Sequence, residues 1–173
     1  NSRIEGTLRI ATSASRSTPI VQQYLPAFSM KYPSVHFEIY EGLMTNVVTQ
    51  LINGSAELGI ANIQMVDIDK FDILLTQEEH LYAIFRRDVF WTDREHDTIT
   101  WEDIKKCPLS LSGGSVRMIM QSSLTDMEQL NAVAITTTKS SAIEWASSGR
   151  TVSLVPMDAK ELINHRKMAR IKL

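Results

Sequence analysis

The alternation of strand-like and helix-like segments over the first ninety residues is the feature that most limits how this chain can fold. Strand-like runs cover residues 7–12, 35–40 and 57–62, and in the second of these apolar and polar residues alternate. Between the runs, apolar residues at helical spacing predict helices that begin at Pro19 and near Thr45. Strands that alternate with helices are typical of a mostly parallel sheet covered by helices, so we expect an α/β fold.

Individual residues indicate where the first two helices begin, bend and end. Ser17 or Thr18 could cap the first helix, and Pro26 inside it predicts a bend because proline lacks a backbone N–H. Thr45 is expected to cap the second helix, and Gly54 is expected to end it.

The rest of the chain continues with short strands and capped helices. Thr100 is expected to open a single helical turn, and Thr138 or Ser140 a longer helix that ends at Gly149. The sequence has no tandem repeat and no low-complexity linker. The further predicted strands are residues 73–75, 81–85, 109–112, 133–135, 152–156 and 168–173.

Two strand-to-helix turns are rich in small hydroxyl residues. The first covers residues 13–18 and the second covers residues 112–115. The first turn of a helix leaves backbone N–H groups unpaired and carries about half a positive charge. Both turns therefore predict a site for one small anion such as a carboxylate.

Charge, cysteine content and hydropathy exclude several classes of function. The net charge is -2 with scattered acidic and basic residues, so this chain alone should not bind nucleic acid. Cys107 is the only cysteine, which excludes an internal disulfide and fits a reducing cytoplasm. The chain has no run of eighteen apolar residues and no apolar leader, so we expect a soluble cytoplasmic protein without membrane association.

Seven landmarks occur in an order and at a spacing found in a known family. They are Leu8–Thr12, Phe28–Pro33, Glu41–Gly42, Leu51–Ile60, Ile99–Leu109, Gly114–Arg117 and Gly149–Pro156. Together they resemble the effector-binding domain of LysR-type transcriptional regulators over nearly the whole chain. The resemblance implies a fold like that of periplasmic binding proteins, with two Rossmann-like α/β lobes joined by two crossing strands.

The resemblance also implies how the chain divides. Residues 1–80 and 156–173 would form lobe I, and residues 81–155 would form lobe II. The crossing strands would lie near His80–Arg86 and Thr151–Val155. An effector would then bind in the cleft between the two lobes.

Two features depart from the family pattern. The family has Gly-x-Gly before the second crossing strand, whereas Gly149 is followed here by Arg150 and Thr151. A β-branched residue disfavours positive φ, so we expect a different hinge. The family also continues with a strand and a helix beyond the position of Leu173, so we expect lobe I to be incomplete.

Ligands of parallel α/β sheets lie beyond the carboxyl ends of the strands, and the resemblance implies an effector site there. Ser13, Ser15 and Asn62 occupy positions that contact the effector in several family members, and Arg16 would favour an acidic effector. The structural alternatives stay open, because the serines could serve only as helix caps, Arg16 as a surface residue and Asn62 as a turn residue. The full set is Ser13, Ser15, Arg16, Gly42, Thr45 and Asn62 on one wall and Ser112, Gly114 and Ser115 on the other.

The resemblance implies partners as well as a site. We expect a small anionic effector such as a carboxylate or sulfate, no cofactor, and assembly as a homodimer or homotetramer. The helix from Pro19 to Lys31 would lie against the second lobe of a partner subunit. DNA would be bound only through a winged helix-turn-helix on the same polypeptide, outside these 173 residues.

Two other classes of function stay open at this point. A solute-binding protein of a transporter would use the same cleft without a DNA-binding partner. A small α/β enzyme would need a cleft residue with a strongly shifted pKa, and the sequence has no Gly-x-Ser-x-Gly elbow, phosphate-binding loop or Gly-x-Gly-x-x-Gly turn. No metal site is expected either, because no metal-ligand spacing relates His36, His80, His96 and His165.

Overall fold

The computed structural model divides the chain into two compact units, Asn1–Thr76 and Gln77–Leu173, called here the first and second unit. None of the helices within the described ranges is both long and apolar enough to cross a membrane. The structure describes residues 4–14, 17, 20–62, 66–76, 78–92, 99–122, 125–157 and 168–172.

The first unit is built on a parallel three-stranded sheet with the order β2-β1-β3. Its strands are β1 (Gly6–Ser13), β2 (Val35–Gly42) and β3 (Leu58–Ile60). All eight residues of β1 pair one to one with β2, which places Ser13 beside Gly42 at the carboxyl edge. The three strands predicted in this part of the sequence are therefore confirmed.

The helical segments of the first unit follow the predicted order. A π-helical segment, Ile20–Tyr24, continues into helix α1, Leu25–Lys31. The helix changes type between Tyr24 and Leu25, and Pro26 follows in the first turn of α1, where the missing backbone N–H breaks no hydrogen bond within α1. Helix α2 covers Met44–Ile52, and a 3-10 turn covers Ile68–Lys70.

The prediction that Thr45 caps α2 is wrong. The helix begins at Met44, and its N-cap is Leu43, two residues before Thr45. The carbonyl of Leu43 accepts hydrogen bonds from Asn46 and Val47. Thr45 is therefore the second residue of the helix. Gly54 follows the helix with φ of 75°, a left-handed conformation that confirms its predicted role as a helix stop.

The predicted strand at residues 73–75 is also wrong. The segment Ile73–Leu75 forms no ladder in the structure, and Leu74 and Leu75 are 78% and 85% exposed. The small core of the first unit lies elsewhere, where Ala11 of β1 packs with Val47 of α2.

The second unit is built on a five-stranded sheet with the order β6-β5-β7-β4-β8. Strands β5, β6 and β7 are parallel, whereas β4 is antiparallel to both of its neighbours. Because β5, β6 and β7 run the same way, their carboxyl ends share one edge. The strands are β4 (His80–Arg86), β5 (Leu109–Ser112), β6 (Ala132–Thr136), β7 (Val152–Met157) and β8 (Met168–Lys172).

Three helices cover this sheet, and the sequence predicted where they begin. Thr100 caps α3 through a capping box with Asp103, and Thr138 caps α5 by accepting a hydrogen bond from the N–H of Ser141. Ser140, the alternative cap, lies inside α5. The helices are α3 (Trp101–Lys105), α4 (Gly113–Gln121) and α5 (Lys139–Ser147), with a 3-10 turn at Met127–Gln129.

The main hydrophobic core belongs to the second unit. Val152 and Leu154 of β7 lie in its larger cluster, together with Phe85 of β4 and Ile119 of α4. Val155 packs in a second cluster that contains Ala142 of α5. This division is expected because successive residues of a strand point to opposite faces of the sheet.

The C-terminal strand lies in the second unit, and the sequence prediction assigns residues 156–173 to lobe I. In the structure the five residues of β8 pair with β4, so residues 168–172 belong to the second unit. The predicted crossing strands, β4 and β7, pair with each other in the same sheet. The lobe boundaries at residues 80 and 156 stay a prediction.

Candidate functional site

The second serine-rich turn forms a reciprocal capping box at the start of α4. The N–H of Ser115 donates to Ser112 Oγ, and the N–H of Ser112 donates to Ser115 Oγ, each at 3.2 Å. Both serines are buried. Ser112 is therefore the N-cap of α4, and Ser115 completes its capping box.

The hydroxyl hydrogens of the two serines are both used inside the protein. Ser115 Oγ donates its single hydrogen to the backbone oxygen of Leu154. In the 2.7 Å hydrogen bond between the two hydroxyls, Ser112 Oγ must then be the donor. Neither hydroxyl has a hydrogen left for an anion, so the donors that remain at this turn are backbone N–H groups.

Gly114 carries such an N–H group, since the first residues of a helix have no intrahelical acceptor. A Cβ on Gly114 would lie 2.8 Å from Cγ of Pro156, so glycine is needed for the close approach of α4 to β7. A Cβ on Gly113 would lie no closer than 3.8 Å to another residue, at the oxygen of Thr137.

The carboxyl edge of the first sheet brings together three of the predicted residues. Ser13 ends the central strand β1, Gly42 ends β2 beside it, and Asn62 follows β3 on the other side. Ser13 is buried, whereas Thr45 at the start of α2 is exposed. Ser15 and Arg16 lie outside the described residues.

Tyr40 and Asn46 also lie at this edge, and the sequence prediction missed both. A Cβ on Gly42 would lie 2.7 Å from Cε1 of Tyr40, so the tyrosine ring covers the glycine. The amide of Asn46 donates to the Tyr40 hydroxyl at 3.2 Å. The sequence signal for the contact between Tyr40 and Gly42 is their i, i+2 spacing, because residues two apart lie on one face of a strand.

A chain of hydroxyl groups explains the departure from the Gly-x-Gly pattern. Thr151 Oγ1 donates to Ser110 Oγ at 2.9 Å, and Ser110 donates to the backbone oxygen of Ala142 at 2.8 Å. All three residues are fully buried. Of Gly149 and Thr151, only Gly149 adopts positive φ, at 80°. The Thr151 hydroxyl, directly before β7, is linked through Ser110 of β5 to α5.

Lys139, the first residue of α5, is a buried charged residue that the sequence prediction also missed. Its side chain is 5% exposed, and its Nζ donates to the backbone oxygen of Pro156 at 3.4 Å. The signal is a lysine directly after the Thr138 cap, where the helix dipole disfavours a positive charge.

A shallow open groove of about 180 Å³ lies on the first unit and contains none of the predicted residues. Arg9 in its lining is paired with Glu57 through a 2.6 Å ion pair. The backbone N–H of Arg9 also donates to this carboxylate and lowers the pKa of Glu57. The Arg9 guanidinium is therefore already engaged by the protein itself.

Among the described residues, no three His, Cys, Asp or Glu side chains lie close enough together to hold a metal ion. His36 and His80 are far apart in the chain and belong to different units. His96 and His165 lie outside the described residues.

The two units, each an α/β layer with parallel strands that run into capped helices, define a class of two-unit α/β binding domains. The family model "LysR substrate binding domain" matches residues 1–173. The chain therefore belongs to this family, the effector-binding domains of LysR-type transcriptional regulators, whose fold is that of periplasmic binding proteins. The predicted family and fold class are confirmed, and the transporter alternative is not favoured.

Solved structures are similar to this chain over almost its full length. A mutant of the OxyR2 regulatory domain from Vibrio vulnificus is 17% identical with a TM-score of 0.73, over 99% of this chain and 81% of that one. A protein from Vibrio parahaemolyticus, described as a candidate transcriptional regulator, is 17% identical with a TM-score of 0.78, over 99% and 80%.

A third similar structure is HinK, a LysR family transcriptional regulator from Pseudomonas aeruginosa. It is 16% identical with a TM-score of 0.69, and the match covers 98% of this chain and 60% of that one. At such identities the similarity defines the fold alone. No curated protein matches the chain.

Proposed function

We propose that this domain senses a small anionic metabolite, which binds in the cleft between two lobes and thereby regulates transcription. The observation that carries the proposal is the commitment of both hydroxyl hydrogens of Ser112 and Ser115 to the protein. The turn then presents the backbone N–H group of Gly114, which can donate but cannot accept. An acceptor-only ligand with negative charge suits such a helix start.

The opposite wall of the proposed cleft is the carboxyl edge of the first sheet. Ser13 at the end of β1, together with Gly42 and Asn62, lies at this edge and supports the assignment. Thr45 would contribute from the exposed start of α2. Ser15 and Arg16 complete the proposed wall, and Arg16 would add a charge that favours an acidic effector.

The proposed switch follows from contacts that exist only when both walls hold the ligand. A hydrogen bond to a charged group contributes about 1.5–3 kcal/mol. Moving a two-state equilibrium from mostly open to mostly closed takes about 5.5 kcal/mol of differential binding. Two or three such bonds made on closure would contribute about 3–9 kcal/mol, so the full shift requires bonds in the upper part of that range.

The proposed partners follow from family membership. DNA would be bound through a winged helix-turn-helix on the same polypeptide, in the cytoplasm, and the domain would carry out no catalysis. Homodimers or homotetramers would form through the helix from Pro19 to Lys31, against the second lobe of a partner subunit. Tyr24 and Met30 on this segment are 52% and 86% exposed, which supports that surface.

A ligand screen tests the proposal directly. The purified chain is heated with sulfate, phosphate and a panel of mono- and dicarboxylates, and with neutral amide analogues of the carboxylates. We expect at least one anion to raise the Tm with a saturable concentration dependence, and its neutral analogue to have no such effect.

The control for this screen separates binding from general salt effects. Sulfate and phosphate stabilise many proteins by exclusion from their surface, and that effect does not saturate. Isothermal titration calorimetry of each positive anion therefore has to give a saturable heat. If no anion does so, the proposed function is wrong.

A further inference from the structure

The side chain of Tyr40 reaches the carboxyl edge of the first sheet. Tyr40 lies two residues before Gly42, the last residue of β2, so both face the same side of the sheet. A Cβ on Gly42 would lie 2.7 Å from Cε1 and 2.8 Å from the hydroxyl oxygen of Tyr40. The ring therefore lies along the strand, over the glycine, and carries its hydroxyl group to the edge.

A hydrogen bond from the first turn of α2 holds this hydroxyl group in place. Asn46, the third residue of α2, donates through its side-chain amide to the Tyr40 oxygen at 3.2 Å. Ser13, a predicted effector residue, pairs with Gly42 in the sheet register. The Tyr40 hydroxyl therefore lies beside residues to which the proposed function assigns the effector.

The Tyr40 hydroxyl still has its own hydrogen to donate. A phenol hydroxyl can accept and donate at the same time, and in the bond between the two residues Asn46 is the donor. Within the described part of the chain, no acceptor takes the Tyr40 hydrogen. Because Tyr40 is 37% exposed, this hydrogen is available to solvent or to a ligand. A donor that is already held in one orientation loses little conformational entropy on binding.

The ring of Tyr40 adds apolar contact area beside this donor. A tyrosine side chain combines a large apolar body with a polar tip. A carboxylate has carbon atoms that can pack against such a ring, whereas sulfate and phosphate have none. Ring and hydroxyl together therefore favour an organic carboxylate over an inorganic anion.

We propose that Tyr40 is a specificity-determining residue of the effector site, whose hydroxyl donates to a carboxylate oxygen while its ring packs against the adjacent carbon atoms. Gly42 is then a positioning residue, since it acts by leaving room for the ring. The inference rests on the proposed function, which concerns an anion held at this edge and does not itself require Tyr40.

The test is a double-mutant cycle of Tyr40→Phe and Gly42→Ala, titrated by calorimetry with sodium acetate, succinate and citrate at constant ionic strength. Tyr40→Phe removes the hydroxyl group and keeps the ring. Gly42→Ala keeps the hydroxyl group and pushes the ring aside, because the added Cβ needs the space beside Cε1. We expect each variant to bind the tightest of the three carboxylates about tenfold more weakly than the parent protein.

The double variant should bind no more than about twofold more weakly than either single variant, because both substitutions remove the same contact. Losses that add in full would show that Gly42 does not act through Tyr40, and would overturn its positioning role.

Tyr32→Phe is the matched control. Tyr32 precedes β2 at the opposite end of the strand, where its ring packs against Phe28, and its variant should bind within about twofold of the parent. Because the hydrogen bond between Asn46 and Tyr40 is exposed, we expect the urea midpoint of Tyr40→Phe to stay close to that of the parent.

Carboxylate binding of parent strength by Tyr40→Phe would overturn the inference and leave the proposed function standing. If none of the three carboxylates binds the parent protein, the inference is wrong. Titrations with sulfate and phosphate then decide the proposed function separately.

Discussion

At the scale of single residues, the direction of two hydrogen bonds decides what the second serine-rich turn can offer a ligand. Ser112 gives its hydrogen to Ser115, and Ser115 gives its own to Leu154. The serines therefore hold the helix start in place, and the adjacent Gly114 presents a backbone donor. Capping and ligand binding are thus divided between neighbouring residues of one turn.

Ser115→Ala should lower the free energy of unfolding by about 1–3 kcal/mol. The substitution removes the partner of the Ser112 N–H and of the Leu154 oxygen, and it breaks the capping box. Urea unfolding followed by circular dichroism measures the change.

Ser140→Ala is the matched control for this experiment. Ser140 is an exposed serine inside a helix, so its replacement should change stability by no more than about 0.5 kcal/mol. Equal effects of the two substitutions would show that the buried hydroxyl network contributes nothing.

At the scale of elements, the local sequence correctly predicted strands that pair with a neighbouring strand. It wrongly predicted a strand where an apolar segment forms no ladder. Apolar and polar residues alternate over residues 35–40, as is typical of a strand, and the structure has β2 at this position. Residues 73–75 are just as apolar, but a strand also needs a partner, and these residues have no ladder in the structure. Thr45 has good capping chemistry, yet the carbonyl of Leu43 accepts the first hydrogen bonds of α2.

The sequence predicts which turn belongs to the candidate site. It does not predict which atoms of that turn are left to bind a ligand. The serine-rich pattern at residues 112–115 locates a helix start without knowledge of its neighbours. The acceptor of Ser115 lies 39 residues away on β7, and the acceptor of Lys139 lies 17 residues away. No local pattern carries such pairings, so the hydrogen-bond partners of Ser115 and Lys139 could be found only in the folded structure.

Glu57 provides a pH-dependent link between β1 and the residue that precedes β3. The hydrogen bond from the Arg9 N–H and the ion pair lower the pKa of Glu57 below its ordinary value of 4.5. A lowered folded-state pKa means that the contribution to stability is present above the ordinary value and is lost as pH falls through the folded-state value.

Glu57→Gln should therefore destabilise the protein at neutral pH and lose most of that effect in acid. Urea midpoints of parent and variant, measured at about pH 7 and about pH 3, give the two differences. The exposed Glu128 offers a control, since Glu128→Gln should leave the midpoint nearly unchanged at both pH values. A difference that grows on acidification would contradict the stated role of Glu57.

At the scale of the whole molecule, the chain forms two compact units, each with a sheet whose parallel strands end at one edge. In the second unit, Gly149 turns the chain at positive φ, and the Thr151 hydroxyl donates to Ser110, which in turn donates to Ala142 of α5. Lys139 begins that same helix, at the edge of the sheet where α4 also begins. Buried hydrogen bonds therefore hold the carboxyl edge of the second sheet in place.

The measurement that tests this account most directly displaces the start of α4 without removing a side chain. A Cβ on Gly114 would lie 2.8 Å from Cγ of Pro156, so Gly114→Ala forces the start of α4 away from β7. Gly113→Ala is the matched control, because a Cβ on Gly113 would lie no closer than 3.8 Å to another residue.

Both variants are titrated by calorimetry with the anion that gave the strongest saturable shift for the parent protein. Gly114→Ala should bind this anion roughly tenfold more weakly than the parent, and Gly113→Ala should bind within about threefold of it. Unchanged binding by a folded Gly114→Ala protein would contradict the claim that the start of α4 holds the effector.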